Sequence, residues 1–187
     1  MIVAVLQPSG IYALTGMPSN TFKNHFIALA DVLGYPARAL EEEILNTSIS
    51  AERIRILETF FIKKYSSLYP VDPQVRHALE LISTHKGLLP IALINEKLNI
   101  TERQLERKFN MQIGISPKYF SGIIKIHHTL KLFQYTPVSN TAQIACEAGY
   151  FDQAHFIHDF KKIAGVSPLK YLSQSHKLAV NLFPAGI

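Results

Sequence analysis

A short helix, a tight turn and a longer helix are encoded in residues 144–162 of the chain, which read IACEAGYFDQAHFIHDFKK. Gly149 tolerates the left-handed conformation that a sharp turn between helices needs. Asp152 is a favourable N-cap for the longer helix, and Phe156 and Phe160, spaced i and i+4, would bury one face of it. This order of elements is the helix-turn-helix unit, whose second helix enters the major groove of DNA.

The same pattern occurs a second time, 51 residues earlier in the chain. The segment ITERQLERKF, residues 100–109, aligns with FDQAHFIHDF, residues 151–160. The segments GISP, at residues 114–117, and GVSP, at residues 165–168, then align as well. Apolar residues, capping residues and the Gly-x-Ser-Pro break coincide, whereas the positions between them differ. We infer one scaffold that is used twice with different outer faces.

The first copy follows the same physical logic as the second. Thr101 is a good N-cap, and Gln104, three residues on, completes a capping box. Leu105 and Phe109 are spaced to bury one face of the helix, and Asn99 is expected to take the left-handed position in the turn. The first copy is therefore also predicted to be a helix-turn-helix unit.

The outer face of each second helix is free to read bases. Arg can bond guanine, Gln can bond adenine, and Ala or Ile can contact a thymine methyl group. The predicted base-reading residues lie on helices at about 101–112 and 152–164: Glu102, Arg103, Glu106, Arg107, Gln153, Ala154, Ile157 and His158. Contacts with the DNA backbone are expected from Thr101, Lys118, Asp152, His155, Lys161 and Lys162.

Residues 144–162 together with GVSPLKY at residues 165–171 resemble the signature of the AraC/XylS transcription regulators. The resemblance implies two helix-turn-helix units joined by a long helix, here residues 117–134. It also implies sequence-specific binding to double-stranded promoter or operator DNA and RNA polymerase as a partner. An activator is expected, with a repressor as the alternative, since the direction depends on where the site lies relative to a promoter.

Three residues depart from the pattern of that family. Asn95 stands where the family packs a small alanine, and Asn99 stands where it has glycine. Both are expected to loosen the packing of the first unit. His158 replaces a common arginine, and it is expected to weaken phosphate or base contact near neutral pH because histidine is mostly uncharged there.

Residues 1–69 resemble, less closely, the end of the sensor region of some members of that family. The similarity lies in the segments GMPS, LG, RALEEE and RIRILE, which start at Gly16, Leu33, Arg38 and Arg53. We expect one short strand at residues 1–7, a loop at residues 8–16, and helices at residues 37–46 and 50–65, the last capped by Ser50. The region is predicted to be a shortened sensor, which gives no basis for a small-molecule effector.

The fold class predicted for the whole chain is mainly all-α. The segment YPVDP, at residues 69–73, has the composition of a linker. We predict a sensor-like region at residues 1–69, a double helix-turn-helix domain at residues 70–176 and a tail at residues 177–187. The helices of the second half are predicted at residues 74–84, 91–98, 101–112, 117–134, 141–148, 152–164 and 168–173.

Charge is distributed unevenly along the chain, which has a net charge of +5. Residues 1–70 hold six basic and six acidic residues, whereas residues 71–187 hold 13 basic and eight acidic residues. The surplus favours a polyanion as the partner of the second half. No apolar run approaches the roughly 20 residues that a membrane span needs, so no membrane partner is expected.

Cysteine and histidine usage limits the other classes of function. One cysteine excludes an internal disulfide and a thiolate zinc site, so the cytoplasm is the expected location. Cys146 is predicted to be a buried structural thiol, with a redox sensor as the alternative. His155 and His158 are predicted to contact DNA or solvent, with a metal pair as the alternative. We expect no cofactor, no metal and no catalytic residue.

Two other functions remain as alternatives at this point. The first is a helical protein-interaction module that has lost specific DNA binding, which Asn95 and Asn99 make plausible. The second is an enzyme that uses the histidines. The sequence does not bring a nucleophile, a base and an orienting group together, so an enzyme is not expected.

Overall fold

The computed structural model describes residues 2–133 and 141–173, and the regular structure of these ranges is helical. The helices are α1 (Gly10–Thr15), α2 (Leu29–Leu33), α3 (Tyr35–Leu45), α4 (Ser50–Tyr65), α5 (Pro73–Thr84), α6 (Ile91–Lys97), α7 (Glu102–Gln112), α8 (Pro117–Leu132), α9 (Thr141–Glu147), α10 (Gln153–Ala164) and α11 (Pro168–Ser173). A 3₁₀ turn at Ser19–Phe22 precedes α2. The prediction of a mainly all-α fold is confirmed.

The N-terminal strand and the loop after it were predicted wrongly. Residues 2–7 have no regular structure, and the described residues contain no second strand that could satisfy their backbone groups. Residues 10–15 form α1 instead of a loop. The helix ends at Gly16, whose φ is 69° and whose N–H donates to the Tyr12 carbonyl at 2.7 Å.

The predicted cap of α4 was also wrong. Ser50 is the first residue of α4 and not its cap, because Ile49 holds the N-cap position and makes no side-chain capping bond. Thr47 takes part in the turn instead, since its hydroxyl donates to Glu52 at 3.0 Å.

The last predicted residue of the linking helix, Gln134, lies outside the described residues, as do the predicted tail and its boundary at residue 176.

The described residues divide into two compact units. The first consists of Met1–Pro73 and Arg107–Ile115, and the second of Gln74–Glu106 and Ser116–Ile187, over the parts of those ranges that the structure describes. The predicted domain limits at residues 69 and 176 stay predictions.

The first compact unit has a small core. In it α2 packs against α3, and α3 packs against α4. Ala37 and Leu40 of α3 are buried, whereas α4 has no buried residue. Many large apolar side chains of this unit are exposed, which is unusual for a chain segment with so many of them.

The second compact unit has a larger core around α8, α9, α10 and α11. A run of aromatic contacts crosses it: the ring centroids of Tyr150 and Phe156 lie 5.3 Å apart, those of Phe156 and Phe160 lie 5.7 Å apart, and those of Phe160 and Tyr171 lie 5.6 Å apart. Ile144 of α9 is fully buried beside them. This core fixes the orientation of α10, which carries half of the candidate site.

The predicted core residues are confirmed, and the prediction for the cysteine is wrong. Leu105, Phe109, Phe156 and Phe160 each have no exposed surface. Cys146 is exposed. The reason is geometric: α9 buries Ile144, Ala145 and Ala148, and a residue two positions after Ile144 faces the other side of the helix.

Candidate nucleic-acid interface

The tight turns of the two helix-turn-helix units have the same backbone geometry. Asn99 has a φ of 48° and Gly149 a φ of 71°, so both are left-handed, as the sequence predicted. In the first turn the N–H of Ile100 donates to the Asn95 carbonyl at 3.0 Å, and in the second the N–H of Tyr150 donates to the Ala145 carbonyl at 2.9 Å. Asparagine therefore replaces glycine here without a change in the turn.

The two turns differ by one residue. Asn99 corresponds to Gly149, 50 residues on, whereas the N-caps Thr101 and Asp152 are 51 residues apart. The second turn therefore contains one more residue before its reading helix starts. Phe151, the residue just before that N-cap, is 95% exposed. This difference was not evident from the sequence repeat. The long helices of the two copies align at a spacing of 51 residues, whereas the turns that precede them align at 50.

The predicted caps of both reading helices are confirmed. At α7 the hydroxyl oxygen of Thr101 accepts from the Gln104 N–H at 3.3 Å, and the Gln104 side chain accepts from the Thr101 N–H at 3.0 Å. At α10 the Asp152 carboxylate accepts from the His155 N–H at 2.7 Å. These bonds satisfy backbone donors at the starts of the helices and set where each one begins.

The Gly-x-Ser-Pro breaks also act alike in the two copies. The hydroxyl oxygen of Ser116 accepts from the N–H of Tyr119 at 3.2 Å at the start of α8. The hydroxyl oxygen of Ser167 accepts from the N–H of Lys170 at 3.3 Å at the start of α11. In each copy the proline after the serine is the first helical residue, a position where its missing N–H does no harm.

The structure leaves the side chains of all the predicted base-reading residues exposed. They are Glu102, Arg103, Glu106 and Arg107 on α7, and Gln153, Ala154, Ile157 and His158 on α10. The outer face of α7 is therefore charged, whereas that of α10 is largely uncharged. Exposure makes these side chains available to a partner, and base reading by them stays a prediction.

The six residues predicted to contact the DNA backbone are exposed too, but three of them also bond within the protein. Thr101 and Asp152 cap their helices. The Nε2 of His155 lies 3.3 Å from a carboxylate oxygen of Asp159, and the His155 ring packs edge-on against Tyr150 at 5.5 Å between centroids. His155 is thus held against the body of its own unit.

The lysines among these six residues lie at two places. Lys118 and Lys162 line one open pocket of about 240 Å³, together with Ser116, Tyr119 and Asp159. Lys161, the neighbour of Lys162 on α10, is exposed. The pocket brings two residues that are 44 positions apart in the sequence into one basic site beside the start of α8, where helix-end N–H groups favour an anion.

Lys125 of α8 has a structural role that the sequence did not indicate. Its ammonium donates to the Gly149 carbonyl at 3.0 Å and lies 3.5 Å from the centroid of the Tyr150 ring. Burial lowers the pKa of Lys125 and raises the pKa of Tyr150. The linking helix therefore holds the turn of the second unit directly. Contacts between residues so far apart leave no periodic pattern in a single sequence.

The loop after α5 adds a second restraint inside the same compact unit. A Cβ atom on Gly87 would lie 2.2 Å from the carbonyl oxygen of Ser121, and one on Gly149 would lie 2.7 Å from a methyl carbon of Leu88. The loop is thus closed against α8 on one side and against the second turn on the other. The loop that leads into α6 is therefore packed against the second turn as well as against α8.

Asn95 is the one departure from the family pattern that leaves a visible defect. Its side-chain oxygen is buried and has no hydrogen-bond partner among the described residues. Ala145, which occupies the same place in the second unit, is buried with 1% exposure. His158 is exposed, with its Nδ1 3.5 Å from a carboxylate oxygen of Asp159.

Within residues 2–133 and 141–173, no group of three or more His, Cys, Asp or Glu side chains is arranged to hold a metal ion. The helices of that same part of the chain are too short or too polar to cross a membrane.

Comparison with known proteins gives consistent results. Residues 94–174 match the sequence profile of a helix-turn-helix domain. The chain is 26% identical over 112 residues to the lactose operon transcription activator of Staphylococcus xylosus, covering 59% of this chain and 39% of that protein. It is 24% identical over 151 residues to the HTH-type transcriptional activator RhaR of Enterobacter sp. (strain 638), covering 75% of this chain and 53% of that protein. The chain thus spans about half or less of the length of these relatives.

A solved structure shares the arrangement of the helices. It is the C-terminal domain of AraT, a response regulator from Geobacillus stearothermophilus. The TM-score is 0.50 at 30% sequence identity, and the match covers 55% of this chain and 86% of that domain.

Proposed function

The chain belongs to the AraC family of helix-turn-helix regulators, and from that membership we propose that it is a sequence-specific, double-stranded DNA-binding transcription regulator. The observation that carries this proposal is the pair of helix-turn-helix units with matching caps, turns and cores and with different exposed faces. A scaffold repeated in this way retains what positions a reading helix and varies what the helix reads.

In this proposal α7 and α10 enter two successive segments of the major groove, about 34 Å apart on one face of the DNA. Because the two exposed faces differ, the site has two unlike halves and needs no palindromic symmetry. A single chain is then sufficient to recognise it. Within one compact unit, Lys125 of α8 and Leu88 pack against the turn that precedes α10, which supports a fixed position of that turn on the linking helix.

The two halves of the site would be read by different chemistry. Arg103 and Arg107 favour guanine, since a guanidinium bonds its N7 and O6 together, and Gln153 favours adenine. Lys118 and Lys162, which share a pocket, would neutralise a phosphate and set the register of the protein on the duplex.

The remaining roles extend the proposal to the cell. The chain would act in the cytoplasm as a regulator that contacts RNA polymerase, with residues 1–69 as a sensor-like region. The charge of the described N-terminal residues is balanced, so the DNA contact is assigned to the basic second half.

A protein-interaction module without DNA binding is less well supported. Such a module would have no need to retain two capped reading helices or exposed arginine and glutamine side chains on their outer faces. The side-chain oxygen of Asn95 is buried without a partner among the described residues, but the turn beside it keeps the hydrogen bond of its counterpart.

The direct test is selection of bound duplexes from a random DNA pool, followed by affinity measurements on the selected site. We expect one asymmetric site. If about five phosphates are neutralised, affinity should fall several hundredfold between about 50 mM and 200 mM salt. An affinity that does not depend on salt, or a pool that yields no preferred sequence, would contradict the proposal.

Arg103→Ala shows whether α7 reads bases. The variant should lose about 1–3 kcal/mol of binding free energy on the selected site and relax the choice of base at one position. Arg38→Ala, which removes an exposed arginine of α3, serves as the matched control and should bind like the wild type. An equal loss on all sequences would assign Arg103 to a phosphate.

A further inference from the structure

Phe151 is a large apolar side chain in an unusual place. It is 95% exposed, and it lies directly between two residues that are fixed. On one side the buried Tyr150 contacts the ammonium of Lys125 and the ring of Phe156. On the other side Asp152 caps α10 through the N–H of His155. The phenyl ring is therefore held outside the core at the N-terminal end of a reading helix.

The residue has no counterpart in the first unit. It is the additional residue that lengthens the second turn, since the turns align at 50 residues and the N-caps at 51. In the first unit the corresponding connection from Asn99 to the cap Thr101 contains only Ile100, which is partly buried. The additional residue thus brings an exposed aromatic ring to α10 and not to α7.

Two further apolar side chains are exposed on α10. Ala154 and Ile157 are three residues apart, so they are neighbours on the helix surface, and Ile157 is 38% exposed. Lys161 and Lys162 follow on the later turns of the same helix and are exposed as well. An apolar patch bordered by lysines matches a partner that offers apolar groups between rows of negative charge.

We propose that Phe151, with Ala154 and Ile157, reads the 5-methyl groups of thymine, so that the half-site contacted by α10 is defined by its T·A pairs. The inference rests on the proposed function and adds the base class that the second unit selects. In the major groove the C5-methyl of thymine is the apolar group that distinguishes one base pair from another, whereas the other distinguishing groups are hydrogen-bond donors and acceptors. Contacts of these apolar side chains with the sugars would carry no base preference, since the sugars are the same in every sequence.

Deoxyuridine is the probe that isolates this contact. It pairs like thymine and presents the same hydrogen-bonding groups but lacks the methyl. Each thymine of the selected site is replaced by deoxyuridine in turn, and affinities are measured for the wild type and for Phe151→Ala. We expect one or two positions where the wild type binds about fourfold more weakly without the methyl, from ~0.8 kcal/mol per buried carbon. At one of these positions Phe151→Ala should bind both duplexes equally.

Two control variants complete the design. Phe26→Ala removes a fully exposed phenylalanine of the first compact unit and should keep the full preference for thymine. Phe151→Leu keeps an apolar side chain and should keep part of it. Because Phe151 is exposed, its variants should unfold at the wild-type temperature, which circular dichroism checks.

The outcomes separate the inference from the function on which it rests. Specific DNA binding without any penalty for deoxyuridine, or an undiminished penalty in Phe151→Ala, would overturn the role of Phe151 and leave the regulator proposal standing. Failure of the wild type to bind any selected duplex would overturn both.

Discussion

Asn95 is partly buried, and the buried Ala145 takes its place in the second helix-turn-helix unit. Its amide oxygen has no partner among the described residues, so the folded protein bears the cost of taking that oxygen out of water. We therefore expect Asn95→Ala to raise the free energy of unfolding by about 1 kcal/mol or more, partly from desolvation and partly from helix propensity. Urea denaturation measures the change.

Asn110→Ala is the matched control for this substitution. Asn110 is an exposed residue of α7, so its replacement reports the helix propensity alone, about 0.5 kcal/mol. The gain from Asn95→Ala should be clearly larger. A loss of stability in Asn95→Ala would show that the amide makes a contact that the protein needs.

At the scale of single residues, the sequence predicts best what is decided locally. The caps Thr101 and Asp152 each accept from an N–H three residues ahead, so their role follows from residue type and spacing. Cys146 was placed wrongly because apolar neighbours in the sequence do not share its face of the helix. Phe151 was missed because exposure is a property of the packed structure.

Lys125 of α8 contacts the second turn directly and holds these two elements together. Lys125→Met keeps the length of the side chain but removes the bond to the Gly149 carbonyl and the charge above the Tyr150 ring. We expect a loss of about 1 kcal/mol in the free energy of unfolding, because the pair is only partly shielded from solvent. Thermal denaturation followed by circular dichroism measures it.

Tyr150→Phe separates the ring from the hydroxyl in that contact. The Tyr150 hydroxyl is buried without a hydrogen-bond partner among the described residues, whereas the ring carries the contact with Lys125. The variant should therefore be as stable as the wild type or slightly more stable. If Tyr150→Phe were as damaging as Lys125→Met, the hydroxyl and not the ring would be the important group.

Helices were predictable where apolar residues repeat at helical spacing and the ends carry capping residues, as in α7 and α10. They were not predictable where neither signal is present. α1 is a short helix whose apolar residues follow one another directly, so its sequence resembles a loop or a strand. The length of the second turn was concealed because one added residue leaves the pattern of each helix unchanged.

At the scale of the molecule, acidification should destabilise the fold. Burial, followed by the charges of Lys86, Lys131 and His127, lowers the pKa of His128. Between that lowered value and the ordinary value near 6.5, the unfolded chain binds more protons than the folded chain, so stability falls as the pH drops through this window. Unfolding temperatures measured from about pH 7.5 to pH 5 should decline accordingly.

Two variants test the cause of this decline. His128→Gln removes the titrating group and should flatten the decline, whereas Lys86→Met removes one of the repelling charges and should reduce it in part. An unchanged slope in His128→Gln would assign the pH dependence to other groups.

The two halves of the chain differ in how far the sequence determines them. In the second half, charge, repeat and caps all indicate the same fold, and the structure agrees. In the first half the apolar residues of α4 are regularly spaced, yet none is buried, so periodicity indicated a buried face that the described residues do not provide. Periodicity predicts which side of a helix is apolar and not whether another element covers it.

The packing of the loop at residues 86–88 also has a consequence for the DNA sites that the chain recognises. Each base pair inserted between two half-sites turns the second by about 35° and moves it 3.4 Å along the axis. Two reading helices joined by a flexible linker could follow such changes. Here the loop that leads into α6 is packed against Ser121 and Gly149, so the start of the first helix-turn-helix unit is fixed relative to the second turn. Natural sites for this chain should therefore vary in base sequence but not in the number of base pairs between the two half-sites. A single sequence pattern without gaps should then be enough to find them.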